Sequence, residues 1–361
     1  MAEPTLHDVA ARAGVSIKTV SNVLRGVSSK ASEATAARVH QAIEELNYRP
    51  NLSARRLRTG RSDVIALAVP DLRNPYFAEL AAAMISAARE AGYTLLIEET
   101  GGDAELELTA AEGLRDPLIE GVILSPLNLD PGKLASCSRQ LPLVLLGERD
   151  YEGPADHVMF DNVEASRRIT EHLLEQGYTR IGVIGRQDDP PHATAVKRLT
   201  GHRAALRAAG IRYERRLAPV VSGAPYGKAT GAAAAHELLR LPDRPDAIYC
   251  FADVLAFGAL RAAHEHGLHA PKDFGLAGFD GIDEAKYSVP TLTTVAVDFA
   301  DMAAIAVSAL VDRVRASSPM PHRDLRCRYE LVVGESSQPV QQSGSGRGVR
   351  ARASRGAAVA Q

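Results

Sequence analysis

The chain of 361 residues is 45% hydrophobic and 24% charged, with three cysteines, no tryptophan and a net charge of −2. That apolar share is too high for a disordered protein, and the length allows two or three domains. Cys137, Cys250 and Cys327 lie too far apart for a CxxC or metal-ligand spacing and read as reduced structural residues, while the lack of a basic–apolar leader and of any run near the ~20 apolar residues of a membrane span predicts a cytoplasmic protein with no membrane partner.

Charge is unevenly spread. Residues 1–62 hold ten Lys or Arg against five Asp or Glu, and residues 338–361 hold four Arg and no acid, whereas residues 63–337 carry 28 basic and 39 acidic residues. A basic head on an acidic body suggests a polyanion bound by the head, against the plainer alternative of a solubilising cluster.

In the opening "TLHDVAARAGVSIKTVSNVLRG", Leu6, Val9, Ala10 and Ala13 recur at the spacing of one buried helix face. Thr5 is the expected N-cap with Asp8 as its capping-box partner, and Gly14 supplies a turn. Ser16 caps a second helix whose Val20, Val23 and Leu24 are expected to point inward, leaving Ile17, Lys18, Ser21, Asn22 and Arg25 facing solvent. A third helix from Ser32 carries the stripe Val39, Ile43 and Leu46. Three small helices with a tight turn between the first two describe a helix-turn-helix, whose second helix lies in the DNA major groove. Lys18 suits guanine, Asn22 adenine and Ile17 a thymine methyl, while Thr5, Ser16 and Thr19 suit phosphates.

The next segment, "NYRPNLSARRLRTGRS", has five arginines in sixteen residues. Asn51 caps an expected short helix, Leu52 to Arg58, that is marginal alone and ordered only against a polyanion. Leu57 stands apolar among arginines, which fits a wedge driven into a minor-groove step or, more plainly, a contact with the first helices.

These two stretches and the body after them resemble the lactose/galactose-repressor (LacI/GalR) family of bacterial transcription regulators, from Thr5 to about Gly334. The resemblance implies a homodimer on a pseudo-palindromic operator in double-stranded DNA. Ile17, Lys18 and Asn22 would read bases, with Ser21 and Arg25 beside them, and Ala54, Arg55, Leu57 and Arg58 would enter or flank the minor groove. Many members have Arg where this chain has Asn22.

From Asp63 short apolar runs alternate with helical stretches: "VIALAVP", "YTLLIEE", "GVILSP", "LPLVLLG" and "HVMFDN", then "RIGVIG", "LAPVV", "DAIYCF" and "FGLAGFD". The pattern predicts an α/β body of two doubly wound parallel-sheet lobes, of periplasmic-binding-protein type by the resemblance, with a ligand cleft beyond the strand ends. The expected organisation is a head over 1–48, a hinge over 49–62, an effector-binding and dimerisation body over 63–337 and a disordered tail over 338–361.

Residues past the strand ends are the candidate ligand groups. They include Asp71 to Phe77, Ser125, Asp161 and Asn162, His192 to Arg198, Tyr226, Phe251 to Asp253, and Asp280, a mixture of rings, carboxylates and an Arg that suits a polyhydroxylated molecule. Family resemblance selects Tyr76, Phe77, Asp161, Thr194, Arg198, Tyr226, Asp280 and Phe299 as effector-binding. Many relatives have Asn-Asp where this chain has Ala252-Asp253. No Gly-rich phosphate cradle, nucleophile–base pair or metal-spaced set appears, so the expectation is a regulator controlled by a small molecule, a sugar, with no catalysis, cofactor or metal. A purine or nucleoside effector is the alternative within the class, and a transport solute-binding protein the alternative outside it.

Overall fold

A computed structural model describes residues 4–24, 32–48, 61–135, 141–147, 155–188, 193–221 and 226–339. The expected hinge helix with Ala54, Arg55, Leu57 and Arg58, together with Arg25, Cys137, His192 and most of the expected tail, lies outside those residues.

The head forms α1 (Leu6–Ala13), α2 (Ile17–Leu24) and α3 (Glu33–Glu45). The expected capping box is present: Asp8 N–H donates to Thr5 Oγ1 at 3.4 Å, and Thr5 N–H and hydroxyl donate to the Asp8 carboxylate at 2.7 Å. Those hydrogen bonds hold the Asp8 carboxyl below its ordinary range. Gly14 ends α1 at φ 64°, a left-handed conformation that an L side chain adopts at a cost. Ser16 Oγ accepts from Thr19 N–H at 3.1 Å and so caps α2. Val9, Ala10, Ala13, Val20, Val39, Ala42 and Tyr48 close one core between the three helices.

The body begins with β1 (Val64–Val69), whose six residues are all buried, as expected of a strand covered on both faces. It is followed by α4 (Pro75–Glu90), β2 (Thr94–Glu99), α5 (Ala104–Ala111), β3 (Ile119–Leu124), α6 (Pro131–Ala135), β4 (Leu143–Leu146) and β5 (Asp156–Met159). The second lobe continues with α7 (Asn162–Glu175), β6 (Ile181–Ile184), α8 (Ala193–Ala208), α9 (Lys228–Leu239), β7 (Ala247–Cys250), α10 (Asp253–Glu265), β8 (Gly275–Asp280), α11 (Glu284–Tyr287) and β9 (Thr293–Val297). Then α12 (Phe299–Arg315) returns to pack on the first lobe, and β10 (Asp324–Arg326) and β11 (Tyr329–Val332) add one strand to each sheet. The orders are β10-β5-β4-β3-β1-β2, all parallel, and β11-β9-β8-β7-β6, parallel except for β11. The chain therefore passes between lobes three times, near Phe160, Asp298 and Cys327.

Two expectations need correction. "LAPVV" is no strand: Pro219 has no N–H to give, and the Arg186 side chain takes the Ala218 carbonyl at 2.6 Å, so only a single bridge links Val220 to Arg186. In α2, Leu24 is 37% exposed while Asn22 is only 8% exposed. The helix is thus covered on more than one flank, which a single-face periodicity does not anticipate.

Two helix contacts in the second lobe depend on the missing side chain of glycine. A Cβ on Gly258 of α10 would lie 2.1 Å from the Lys228 carbonyl, and one on Gly231 of α9 would lie 2.3 Å from the Leu255 carbonyl. Alanine favours a helix over glycine by about 1 kcal/mol, but the backbone clash outweighs it. Gly258→Ala is therefore expected to lower stability by roughly 1–3 kcal/mol in urea unfolding, rather than raise it.

Candidate functional site

The head presents a polar surface around α2. Lys18 is exposed, Ile17, Thr19 and Ser21 are half-buried, and Thr5 and Ser16 are exposed at the starts of α1 and α2, where unsatisfied backbone N–H groups favour phosphate. Asn22, expected on the solvent face, is instead buried and must lose cover before it touches a base.

Where the described chain leaves the head it is fastened to the first lobe. Glu120 of β3 accepts from Ser62 N–H, from Ser62 Oγ at 3.0 Å and from Asp63 N–H at 3.0 Å. Arg61 donates to the Tyr93 hydroxyl. The backbone at Ser62 and Asp63 is thereby tied to β3.

The floor of the cleft is built around Arg198, which α8 carries in its second turn and which is 6% exposed. Its Nε donates to Asn162 Oδ1 at 2.7 Å at the start of α7, and its Nη1 to the Phe251 carbonyl beyond β7. Asp280 Oδ1, at the end of β8, lies 3.7 Å from Nη1, and the guanidinium sits 3.5 Å from the Phe279 ring centroid. A buried cation needs such partners to offset its lost hydration.

Asp280 is 6% exposed, and burial pushes its carboxyl well above the ordinary value despite the nearby Arg198. Asp253, fully buried at the start of α10, is pushed by burial to about 6. Its Oδ1 accepts from Thr294 Oγ1 at 2.7 Å and its Oδ2 from the Gly281 and Ile282 N–H groups at 2.7 and 3.0 Å.

Tyr76 and Phe77 enter from the first lobe at the start of α4, where Asn74 Oδ1 accepts from Tyr76 N–H at 3.1 Å. Tyr76 meets Phe299, the first residue of α12, with ring centroids 5.3 Å apart. Burial raises the Tyr76 hydroxyl's pKa, and the charges of Asp280 and Arg198 act on it from the other lobe. Phe77 is 8% exposed and belongs to the apolar core that runs through both lobes. Tyr226 donates to the Gly185 carbonyl at 2.5 Å, and Arg198 and Asp280 act on its hydroxyl too. Tyr76, Phe299, Arg198, Asp280 and Tyr226 are thus brought to one region.

Asp161 and Thr194 stand differently. Asp161 caps α7 through Glu164 N–H at 2.9 Å and pairs with Arg326 at 3.5 Å, so it fastens a lobe crossing. Thr194 is half-buried in the first turn of α8, one turn before Arg198. A separate cavity of about 750 Å³ opens between Pro75 and Glu79 of the first lobe and Lys228, Phe257 and Tyr287 of the second; Leu72, Arg73 and Pro75 of the expected 71–77 segment line it, but none of the eight residues selected by resemblance does. Among the described residues no group of three His, Cys, Asp or Glu could hold a metal, and no helix is long and apolar enough to cross a membrane.

Phe279 and the anchoring role of Asp253 escaped the sequence reading. Phe279 reads there as one more apolar residue of a buried strand, and only the register of β8 shows that its ring faces Arg198.

Residues 5–51 match the model of bacterial regulatory proteins of the lacI family, and residues 170–337 match a periplasmic binding protein-like domain. The ribose operon repressor of Halalkalibacterium halodurans is 33% identical over 335 residues, 92% of this chain and 97% of that one. The HTH-type transcriptional repressor CytR of Escherichia coli is 32% identical over 314 residues, covering 86% and 90%. Among solved structures, a lac repressor dimer bound to operator and an anti-inducer is similar at 26% identity, with a TM-score of 0.75 and coverage of 93% and 99%. A transcriptional regulator CelR–cellobiose complex is similar at 31% identity, with a TM-score of 0.64 and coverage of 92% and 99%.

Behind Arg198, one turn along α8, His202 is fully buried against the Tyr213 and Tyr249 rings, with Nδ1 3.1 Å from Thr170 Oγ1. Burial pushes its imidazole from 6.5 to about 3. Below pH 6.5 the unfolded chain binds a proton that the native site refuses until about 3, so this residue makes stability fall as pH falls through that window. His202→Leu leaves the Thr170 hydroxyl on the Ser166 carbonyl at 2.8 Å. The stability lost between pH 7 and pH 5 in urea unfolding is expected to be about 2 kcal/mol smaller in this variant than in the parent.

Proposed function

This chain belongs to the lacI family of bacterial regulatory proteins, and from that premise we propose that it is a sugar-responsive homodimeric repressor whose cleft controls its grip on a pseudo-palindromic operator. It is a DNA-binding transcriptional regulator that answers to a small-molecule effector. The observation that carries the effector reading is the convergence of Arg198 and Asp280 with Tyr76 and Phe299, groups delivered by both lobes to one region. Rings stack on sugar faces, while a guanidinium and a carboxyl bind hydroxyls in pairs. The similar regulator CelR forms a complex with cellobiose, which supports a sugar here.

The DNA reading assigns Ile17, Lys18 and Asn22 to base edges and Thr5, Ser16 and Thr19 to phosphates, with Ser21 and Arg25 alongside. Ala54, Arg55, Leu57 and Arg58 take the minor groove. Exposed Tyr287 and Val289, at 77% and 94%, support pairing of two bodies. Closure of the cleft on a ligand moves the first lobes, Glu120 carries that movement to residues 61–63, and the hinge responds. Nothing in this arrangement calls for turnover of the ligand.

Selection of duplexes from a random pool near 150 mM salt tests the reading, because nonspecific binding is salt-driven. The expected product is a pseudo-palindrome with a central pyrimidine–purine step, and an asymmetric or unenriched pool contradicts it. Lys18→Ala is expected to weaken binding to the selected site by about 1–3 kcal/mol while changing nonspecific DNA affinity little. The same protein mixed with cellobiose, ribose and adenosine in thermal melts tests the effector class: a shift with adenosine alone replaces the sugar by a nucleoside.

A further inference from the structure

Asp280 is held in a backbone conformation that an aspartate seldom adopts. Its φ is 125°, and the following Gly281, at φ 75°, has no room for a Cβ, which would lie 2.3 Å from Ala296 Cα. Such geometry persists only where the surroundings over-determine it. The group that fixes the turn from outside the strand is Asp253. Its Oδ2 takes both N–H groups that follow Asp280, those of Gly281 and Ile282, and its Oδ1 is held by Thr294 Oγ1 on β9.

Asp253 itself opens α10, and Asp280 closes β8. The preceding Ala252 offers no side chain to cap that helix end. Beneath the pair, Gly278 leaves the space the carboxylate fills, since a Cβ there would fall 2.1 Å from Asp253 Oδ1. Asp253 is fully buried and already holds three protein donors, so it is not placed to bind a hydroxyl itself.

We propose that Asp253 is the positioning residue of the effector cleft: by holding the Gly281 and Ile282 amides it aims the Asp280 carboxyl beside Arg198. The inference rests on the effector reading above for its functional half, and on local geometry alone for the other half. Asparagine preserves the arrangement, because its carbonyl oxygen accepts from both amides and its NH2 donates to Thr294 Oγ1. Alanine removes it.

The test is hydrogen–deuterium exchange of residues 278–284 in the full chain, with thermal melts against cellobiose, ribose and adenosine, for Asp253→Asn and Asp253→Ala. Exchange at Gly281 and Ile282 is expected to rise at least about tenfold in Asp253→Ala and to stay within about threefold of the parent in Asp253→Asn, with the head and first lobe unchanged. Any ligand that stabilises the parent is expected to lose at least about tenfold in affinity with alanine and to be recovered by asparagine. A merely structural loss would lower stability without this selective recovery. Unchanged exchange in Asp253→Ala, or unchanged ligand affinity there, overturns the proposal. Should Asp253→Ala fail to melt cooperatively, Thr294→Val, which frees only Oδ1, takes its place: faster exchange confined to 278–284 supports the proposal and unchanged exchange overturns it. If no ligand stabilises the parent, the effector reading fails while the exchange arm still decides the role of Asp253.

Discussion

Everything in the second lobe that faces the cleft is arranged around one buried guanidinium. Arg198 has left water, and a cation in that position is tolerated only when acceptors surround it. Those acceptors come from the start of α7, the end of β7 and the end of β8, so a single side chain fixes the relative heights of three element ends. The acids are constrained in turn. Asp253 and Asp280 share the neighbourhood of one arginine, whose charge favours both carboxylates without offsetting the burial that raises them. A site stiffened this way can discriminate between ligands, because a guest that leaves any of these groups unpaired suffers a desolvation cost.

The second constraint is that the chain crosses between lobes three times. At two of the crossings an aspartate caps the helix that follows and also pairs with an arginine on the last crossing: Asp161 with Arg326, and Asp298 with Arg328 at 3.1 Å. A further link spans the cleft, where Asp283 N–H donates to Glu79 at 2.8 Å. Beneath these partly exposed polar contacts one apolar core runs from the first lobe through the crossings into the second, with Phe160 stacked on Phe279 at 5.9 Å. A relative movement of the lobes therefore acts on a shared core as well as on the ion pairs, as a lever pivoting at the crossings. Glu120 of β3 stands at the far end of that lever, holding Ser62 and Asp63 on the segment that leads to the head.

The head was the most legible part of the sequence, since its helices carry complete signals: a capping box at Thr5 and Asp8, a left-handed Gly14, a Ser16 cap and a Val39 stripe. The parallel strands β1, β3, β4, β6, β7 and β8 announced themselves as short apolar runs. β9 went unnoticed, its threonines diluting the run, and β10 and β11 are short edge strands with half-exposed patterns. In the cleft, Arg198, Asp280, Tyr76 and Tyr226 are named by resemblance to short motifs; the structure puts Arg198 in the second turn of α8, Tyr76 at the start of α4 and Asp280 at the end of β8. The contribution of Asp253 could not be named in that way, because it depends on two backbone amides brought from 28 and 29 residues away. Asn22 shows the opposite failure, where a polar residue assigned to solvent by periodicity is enclosed by the fold.

The central claim is that the cleft and the DNA-binding head are one thermodynamic system. Its most direct test is reciprocal linkage, measured with a selected operator and whichever panel sugar most raises the melting temperature. Operator affinity is titrated with and without saturating sugar, and sugar affinity with and without saturating operator. The account predicts that both affinities change by one common factor, as any coupling between two sites requires. Binding of both molecules with neither affecting the other would contradict it, and would leave the head and the cleft as two independent functions on one chain.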